Sequence, residues 1–332
     1  MLKNLFVQVL IFFVFHNITQ AQWVQLGVDM PGDGDFEFGN KVDFNNAGDI
    51  MIGGANGNYA KVYKEENGVW TQLGNTLAGP VGEGYGWGVS INATGDIIAV
   101  GEFGQAGKVH IYELVGNVWT PLGSPILGGV HNGYYDNFGY AVALNEAGDR
   151  VVATSQYGNL GNGVESGFVN VYDFVNGEWE QVGSSIEGQS SGQHFGVNVE
   201  INGAGNRLVV GADGGSAGAF VYEEDNGIWQ QVGQSILSSE VAGTGSVYEP
   251  TMDKTGNTIA FLYYGNTSRT WVYSLVNNTW TPKGSVINLG SRCSLNGDGS
   301  ILAISNSNGD GNAWVYQFDN GDWVQVSDVI SG

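Results

Sequence analysis

One tryptophan-centred pattern recurs along the chain and limits it to repeat architectures. A tryptophan followed four residues later by glycine occurs at Trp23, Trp70, Trp119, Trp179, Trp229 and Trp280, and Trp323 repeats it with Ser327 in the glycine place. The intervals are 47, 49, 60, 50, 51 and 43 residues. Seven residues before each tryptophan from Trp70 onward stands a tyrosine preceded by a β-branched residue, as in Val62-Tyr63, Ile111-Tyr112 and Val272-Tyr273. Self-similarity at a period of this length marks solenoids, propellers or arrays.

A second recurring element is a turn. Asn45, Asn92, Asn145, Asn202, Asp253 and Asn296 each precede a glycine by three, and Asp, Asn or Ser follows that glycine every time. This is hairpin-turn chemistry. Seven residues before the turn residue stands an aromatic-glycine pair in four units: Phe38-Gly39, Tyr85-Gly86, Phe138-Gly139 and Phe195-Gly196. The last two units carry Ser246-Val247 and Leu289-Gly290 instead. Each unit therefore holds four short strands, which in unit two are Tyr85–Asn92, Ile97–Gly101, Lys108–Glu113 and Val118–Gly123. No helical periodicity competes after the first 21 residues. Four antiparallel strands every 40–50 residues predict an all-β fold, a β-propeller. Six blades are expected. Seven is the alternative, because seven tryptophan strands face only six sets of the first three strands.

Composition agrees. Glycine supplies 55 of 332 residues, and hydrophobic content of 42% suffices for a packed core. Residues 1–21 read as a secretory signal: Lys3, an apolar run from Leu5 to Phe15, then small Thr19 and Ala21 before the cleavage point. The run is too short to span a bilayer. Residues 22–332 are then one propeller domain, secreted or held at the cell surface, without membrane insertion. The 33 acidic against 11 basic residues exclude nucleic acid as partner. Cys293, the one cysteine, is expected as a small core residue.

The combined pattern W-x-Q-[LV]-G, F-G-x-x-V, N-x-x-G-D and V-Y resembles the FG-GAP-type repeats of secreted bacterial proteins and the integrin α-chain head. It covers about residues 23–327. The resemblance implies a surface or adhesion component, and also Ca²⁺, which such repeats hold in D-x-D-x-D-G loops. The nearest match is Asn306, Asn308 and Asp310, where a plain Asn/Gly turn is the competing reading. Asp33-Gly34-Asp35 and Asp136-Asn137 are lesser matches.

Catalytic chemistry is weakly signalled. His110, His131 and His194 follow the leader, no serine sits on a nucleophile elbow, and no zinc spacing occurs. Arg150, Arg207, Arg269 and Arg292 form no sequence cluster, and Arg150 and Arg207 hold one equivalent position after the hairpin turn. Binding through the long loops is the expectation. Unit three is longest, and its loops carry His131, Tyr134, Tyr135, Asp136, Tyr157 and Glu165, with Phe103 and Tyr264 in related loops. Aromatic rings beside hydrogen-bonding groups suit an extracellular glycan or a surface protein. The alternatives are a polysaccharide hydrolase or lyase, and a purely structural module.

Overall fold

The turn residue shows why the sequence folds into repeated hairpins. The Asn92 side-chain oxygen accepts from the backbone N–H groups of Gly95, Asp96 and Ile97 at 3.0, 3.1 and 3.0 Å. Asn45, Asn145, Asn202, Asp253 and Asn296 accept from the residue five positions on in the same way. A short polar side chain thus satisfies the turn that the first and second strands need.

The computed structural model describes residues 24–27, 30, 38–55, 58–131, 133–241, 245–265, 267–306, 311–326 and 328–331. The leader assigned to residues 1–21 lies outside them. Six four-stranded antiparallel sheets are arranged as a β-propeller. Sheet one runs Phe38–Phe44, Ile50–Ala55, Tyr59–Glu66 and Val69–Gln72. Sheet two is Tyr85–Ile91, Ile97–Glu102, Lys108–Val115 and Val118–Pro121. Sheet three comprises Val142–Leu144, Arg150–Ser155, Phe168–Val175 and Glu178–Gln181. In sheet four the strands are Asn198–Ile201, Arg207–Ala212, Gly218–Asp225 and Ile228–Gln231. Sheet five has Ser246–Met252, Thr258–Tyr264, Arg269–Val276 and Thr279–Pro282. Sheet six ends the series with Arg292–Leu295, Ile301–Ser305, Ala313–Asp319 and Asp322–Gln325. Among the described residues the one helix is a single turn, Ser238–Val241.

The sheets pack face to face. Ile52, Val62 and Leu77 of unit one meet Tyr85, Ile98 and Val100 of sheet two, and four further cores of this kind follow around the molecule. Two hydrogen-bond series stitch neighbouring sheets. The first joins turn to turn: Asn46 N–H to Ala93 C=O, Ala93 to Glu146, Glu146 to Gly203, Gly203 to Lys254 and Lys254 to Gly297, at 3.0–3.2 Å. The second is the tryptophan itself. The indole N–H groups of Trp119, Trp179, Trp280 and Trp323 donate to the carbonyls of Leu73, Leu122, Val232 and Lys283 on the preceding outer strand. Trp70 donates likewise to Leu26 at 3.2 Å, so the residues after Trp23 lie where a preceding outer strand would. The repeated tryptophans are packing residues, as the sequence predicts.

Candidate functional site

The inner strands enclose a channel of about 660 Å³. At four of the six turns its wall follows one rule, written two residues before the turn residue. Asp43 accepts from Ile91 N–H of the next sheet at 2.9 Å, Ser90 from Leu144 at 3.1 Å, Glu200 from Met252 at 3.1 Å and Thr251 from Leu295 at 3.3 Å. These side chains hold the first strands together. Asp43 also receives the Ser90 hydroxyl at 3.0 Å. Enclosure in the channel wall pushes the Asp43 carboxyl up to about 6 and the Glu200 carboxyl up to about 8. Burial pushes the Cys293 thiol well above its ordinary value, which suits a packed residue rather than a nucleophile.

The channel cations are engaged. Lys41 reaches Glu249 at 2.8 Å and Asn198 at 3.2 Å, and Arg292 reaches the same Glu249 oxygen at 2.6 Å. Burial alone would raise the Glu249 carboxyl, but Lys41 and Arg292 hold it below the usual carboxylate range. Arg150 and Arg207 also work structurally. Arg150 pairs with Asp173 at 2.5 Å and donates to Gly205 C=O, while Arg207 pairs with Glu223 at 2.7 Å and donates to Gly256 C=O.

The long loops build a different surface. His131 and Asp136 meet at 2.8 Å on a two-stranded ribbon, Val130–His131 with Tyr134–Tyr135. Asp136 is buried and also accepts from Gly129 N–H at 2.7 Å, so it fixes the ribbon instead of facing a ligand. Beside the ribbon, Tyr135, Tyr157 and Glu165 line one cleft of about 390 Å³ together with Gln105, Asn137 and Asn159. Tyr135 and Tyr157 are exposed. The Tyr157 ring also stands edge-on to His194 with centroids 5.1 Å apart. Both His194 nitrogens are directed to carboxylates, Nδ1 to Asp213 at 2.7 Å and Nε2 to Glu165 at 3.6 Å. The Asp213 bond to Nδ1 fixes the orientation of the ring.

Phe103 takes a supporting place. Its ring packs on Trp87 and Tyr140, with centroids 5.2 and 5.6 Å away, and its carbonyl accepts from the Asn137 amide at 3.1 Å. Tyr264 is exposed at the end of its strand in sheet five and does not line this cleft. Sequence reasoning took Asn137 as part of a lesser cation match and missed Gln105 and Asn159, and also the rings of Trp87, Tyr140 and Tyr248. The last three share one signal: each stands two residues after the aromatic-glycine position, where the first strand begins. Tyr157 and Tyr248 both have Tyr140 and Asp213 as electrostatic neighbours, and burial raises both phenols above their ordinary value. Asn306 accepts from the Ser291 hydroxyl at 3.4 Å, whereas Asn308 and Asp310 lie outside the described residues. Among the described residues, no group of three or more His, Cys, Asp or Glu side chains could hold a metal ion.

No family model and no curated protein sequence matches the chain. Solved structures do. A provisionally named 6-phosphogluconolactonase from Bacteroides uniformis superposes with a TM-score of 0.64 at 12% identity, over 88% of this chain and 85% of that one. The hydrazine synthase of Kuenenia stuttgartiensis gives a TM-score of 0.57 at 13% identity, over 88% and 82%. Likeness at this identity concerns the propeller fold, which hosts unrelated activities.

Proposed function

We propose that the chain is an exported, non-catalytic β-propeller of the FG-GAP type that binds a glycan on its long-loop face. The observation that carries this reading is the cleft of about 390 Å³, in which Tyr135 and Tyr157 stand beside three amide side chains and Glu165. Exposed phenol rings offer faces to the apolar side of a sugar, and amides and a carboxylate accept or donate to its hydroxyls. Non-catalytic binding is favoured because the channel acids Asp43 and Glu200 bond to backbone N–H groups of the neighbouring sheets. Secretion rests on the leader at residues 1–21.

The test is retention on a panel of immobilised polysaccharides and oligosaccharides. The unmodified chain should be retained by at least one, and Tyr135→Ala with Tyr157→Ala should lower affinity at least about tenfold, or 1.4 kcal/mol. Both rings are exposed, so the melting temperature should stay put. Undiminished retention by the double variant would overturn the site, and turnover of any bound polysaccharide would overturn the non-catalytic reading.

A further inference from the structure

The boundary between sheet six and sheet one differs from the five others. Isoleucine or leucine at one linker position is packed away in five units: Leu77, Ile126, Ile186, Ile236 and Ile287 are 4–9% exposed. Ile330, the sixth, makes the same antiparallel bridge to the third strand (Ala313), as Ile287 does to Thr270, yet is 38% exposed. Ala303 and Ile301 on the second strand of sheet six are exposed too, although Ala99, Val152, Val209 and Ala260 at the Ala303 position are fully buried. The opposite face shows the same contrast. Val42 and Phe44 of sheet one are 51% and 46% exposed, while Val89, Ile91, Val142 and Leu144 are 5–8% exposed. Of the six second strands, only that of sheet six lines the channel cavity.

The place is partly taken. Leu26 receives the Trp70 indole just as Leu73 receives that of Trp119. Gly27 has φ +84°, in line with Gly74 at +76° and Gly123 at +74°, and a Cβ there would meet the Trp70 ring as one at Gly74 would meet that of Trp119. Residues 24–27 thus stand as the end of an outer strand belonging to a sheet between six and one.

We propose that this boundary is the seat of a seventh sheet, filled by a partner segment that carries the first three strands of one more repeat unit. The chemistry of that segment follows from the other five boundaries. Against Ala303 and Ile330 it presents an aromatic residue at the start of its first strand, as Tyr85 does against sheet one. Against Val42 and Phe44 it presents the β-branched positions of its second and third strands, as Ile52 and Val62 do against sheet two. Residues 24–27 serve as its outer strand.

The test uses the chain's own repeat. By spacing from the Val-Tyr pair, Ile330 corresponds to Leu77 and Gly332 to Gly79. A copy of residues 80–117 is therefore fused after Gly332. The fused chain should remain monomeric and melt several degrees higher than the unmodified chain, and Ala303→Asp should remove that gain. In the unmodified chain Ala303→Asp should leave the melting temperature almost unchanged, whereas Ala99→Asp should abolish folding. Absence of a gain on fusion overturns the proposal. So does an equal loss for Ala303→Asp and Ala99→Asp in the unmodified chain, since the face would then be covered already. A dimer of the unmodified chain that Ala303→Asp splits overturns it in favour of a second copy.

Discussion

The indole N–H of Trp179 donates to the backbone carbonyl of Leu122 at 2.8 Å, across the boundary between sheets two and three. Trp229 sits at the equivalent place one unit later, also half-buried, and among the described residues its indole N–H has no hydrogen-bond partner.

The pair separates hydrogen bonding from packing. Trp179→Phe and Trp229→Phe remove similar ring volume, but only the first strands a carbonyl. Trp179→Phe should cost about 1–3 kcal/mol more than Trp229→Phe, the penalty for a backbone group left unpaired. Urea unfolding of the two variants checks this, and equal losses would show that the bond contributes nothing.

The channel acids predict an unusual pH dependence. Asp43 titrates near 6 in the fold against an ordinary 3.8, and Glu200 near 8 against 4.5. The folded state therefore keeps protons that the unfolded chain has released, so these two groups lower stability as pH rises from about 4 to about 8. Asp43→Asn should flatten the part between pH 4 and 6, and Glu200→Gln the part up to pH 8. Denaturation midpoints measured across that range would refute the assignment if the Gln variant followed the unmodified chain throughout.

Two glycines should respond very differently to a side chain. A Cβ on Gly101 would lie 1.9 Å from the Gly139 carbonyl oxygen of the next sheet, with only backbone to yield. Gly101→Ala should thus cost about 3 kcal/mol, the upper range for overpacking. Gly177 has φ +93° at a hairpin tip with open space around it, and Asn278 holds the equivalent position at φ +59°. Gly177→Asn should cost less than about 1 kcal/mol, because asparagine tolerates the left-handed region. Thermal unfolding distinguishes the two.

The sheets were legible because turn and packing residues recur at fixed spacing. The unit-two strands agree with the structure to within two residues at each end. The drift at Ser246-Val247 and Leu289-Gly290 did not hide sheets five and six, since Asp253, Asn296 and the Val-Tyr pairs remained in place. The loops were legible only in part. Tyr135, Tyr157 and Glu165 stand out by residue type in the longest unit, and they share a cleft. Gln105 and Asn159 do not stand out, and Asn137 does so only beside Asp136, because amides are common in turns and only the folded ribbon shows which ones converge. Asp136 drew notice as an acid in a long loop, yet its burial and its bonds to Gly129 and His131 were fixed by tertiary packing. Tyr264 has the right chemistry at a strand end in a different sheet, which a one-dimensional pattern does not place.

The two stitches between sheets run in opposite directions along the chain. At the turns the earlier unit gives its N–H and waits for a carbonyl made later, as Asn46 waits for Ala93. At the outer strand the later unit gives its indole to a carbonyl already made, as Trp119 gives to Leu73. Most boundaries are therefore held from both sides, the earlier unit donating at the turn and the later unit at the outer strand.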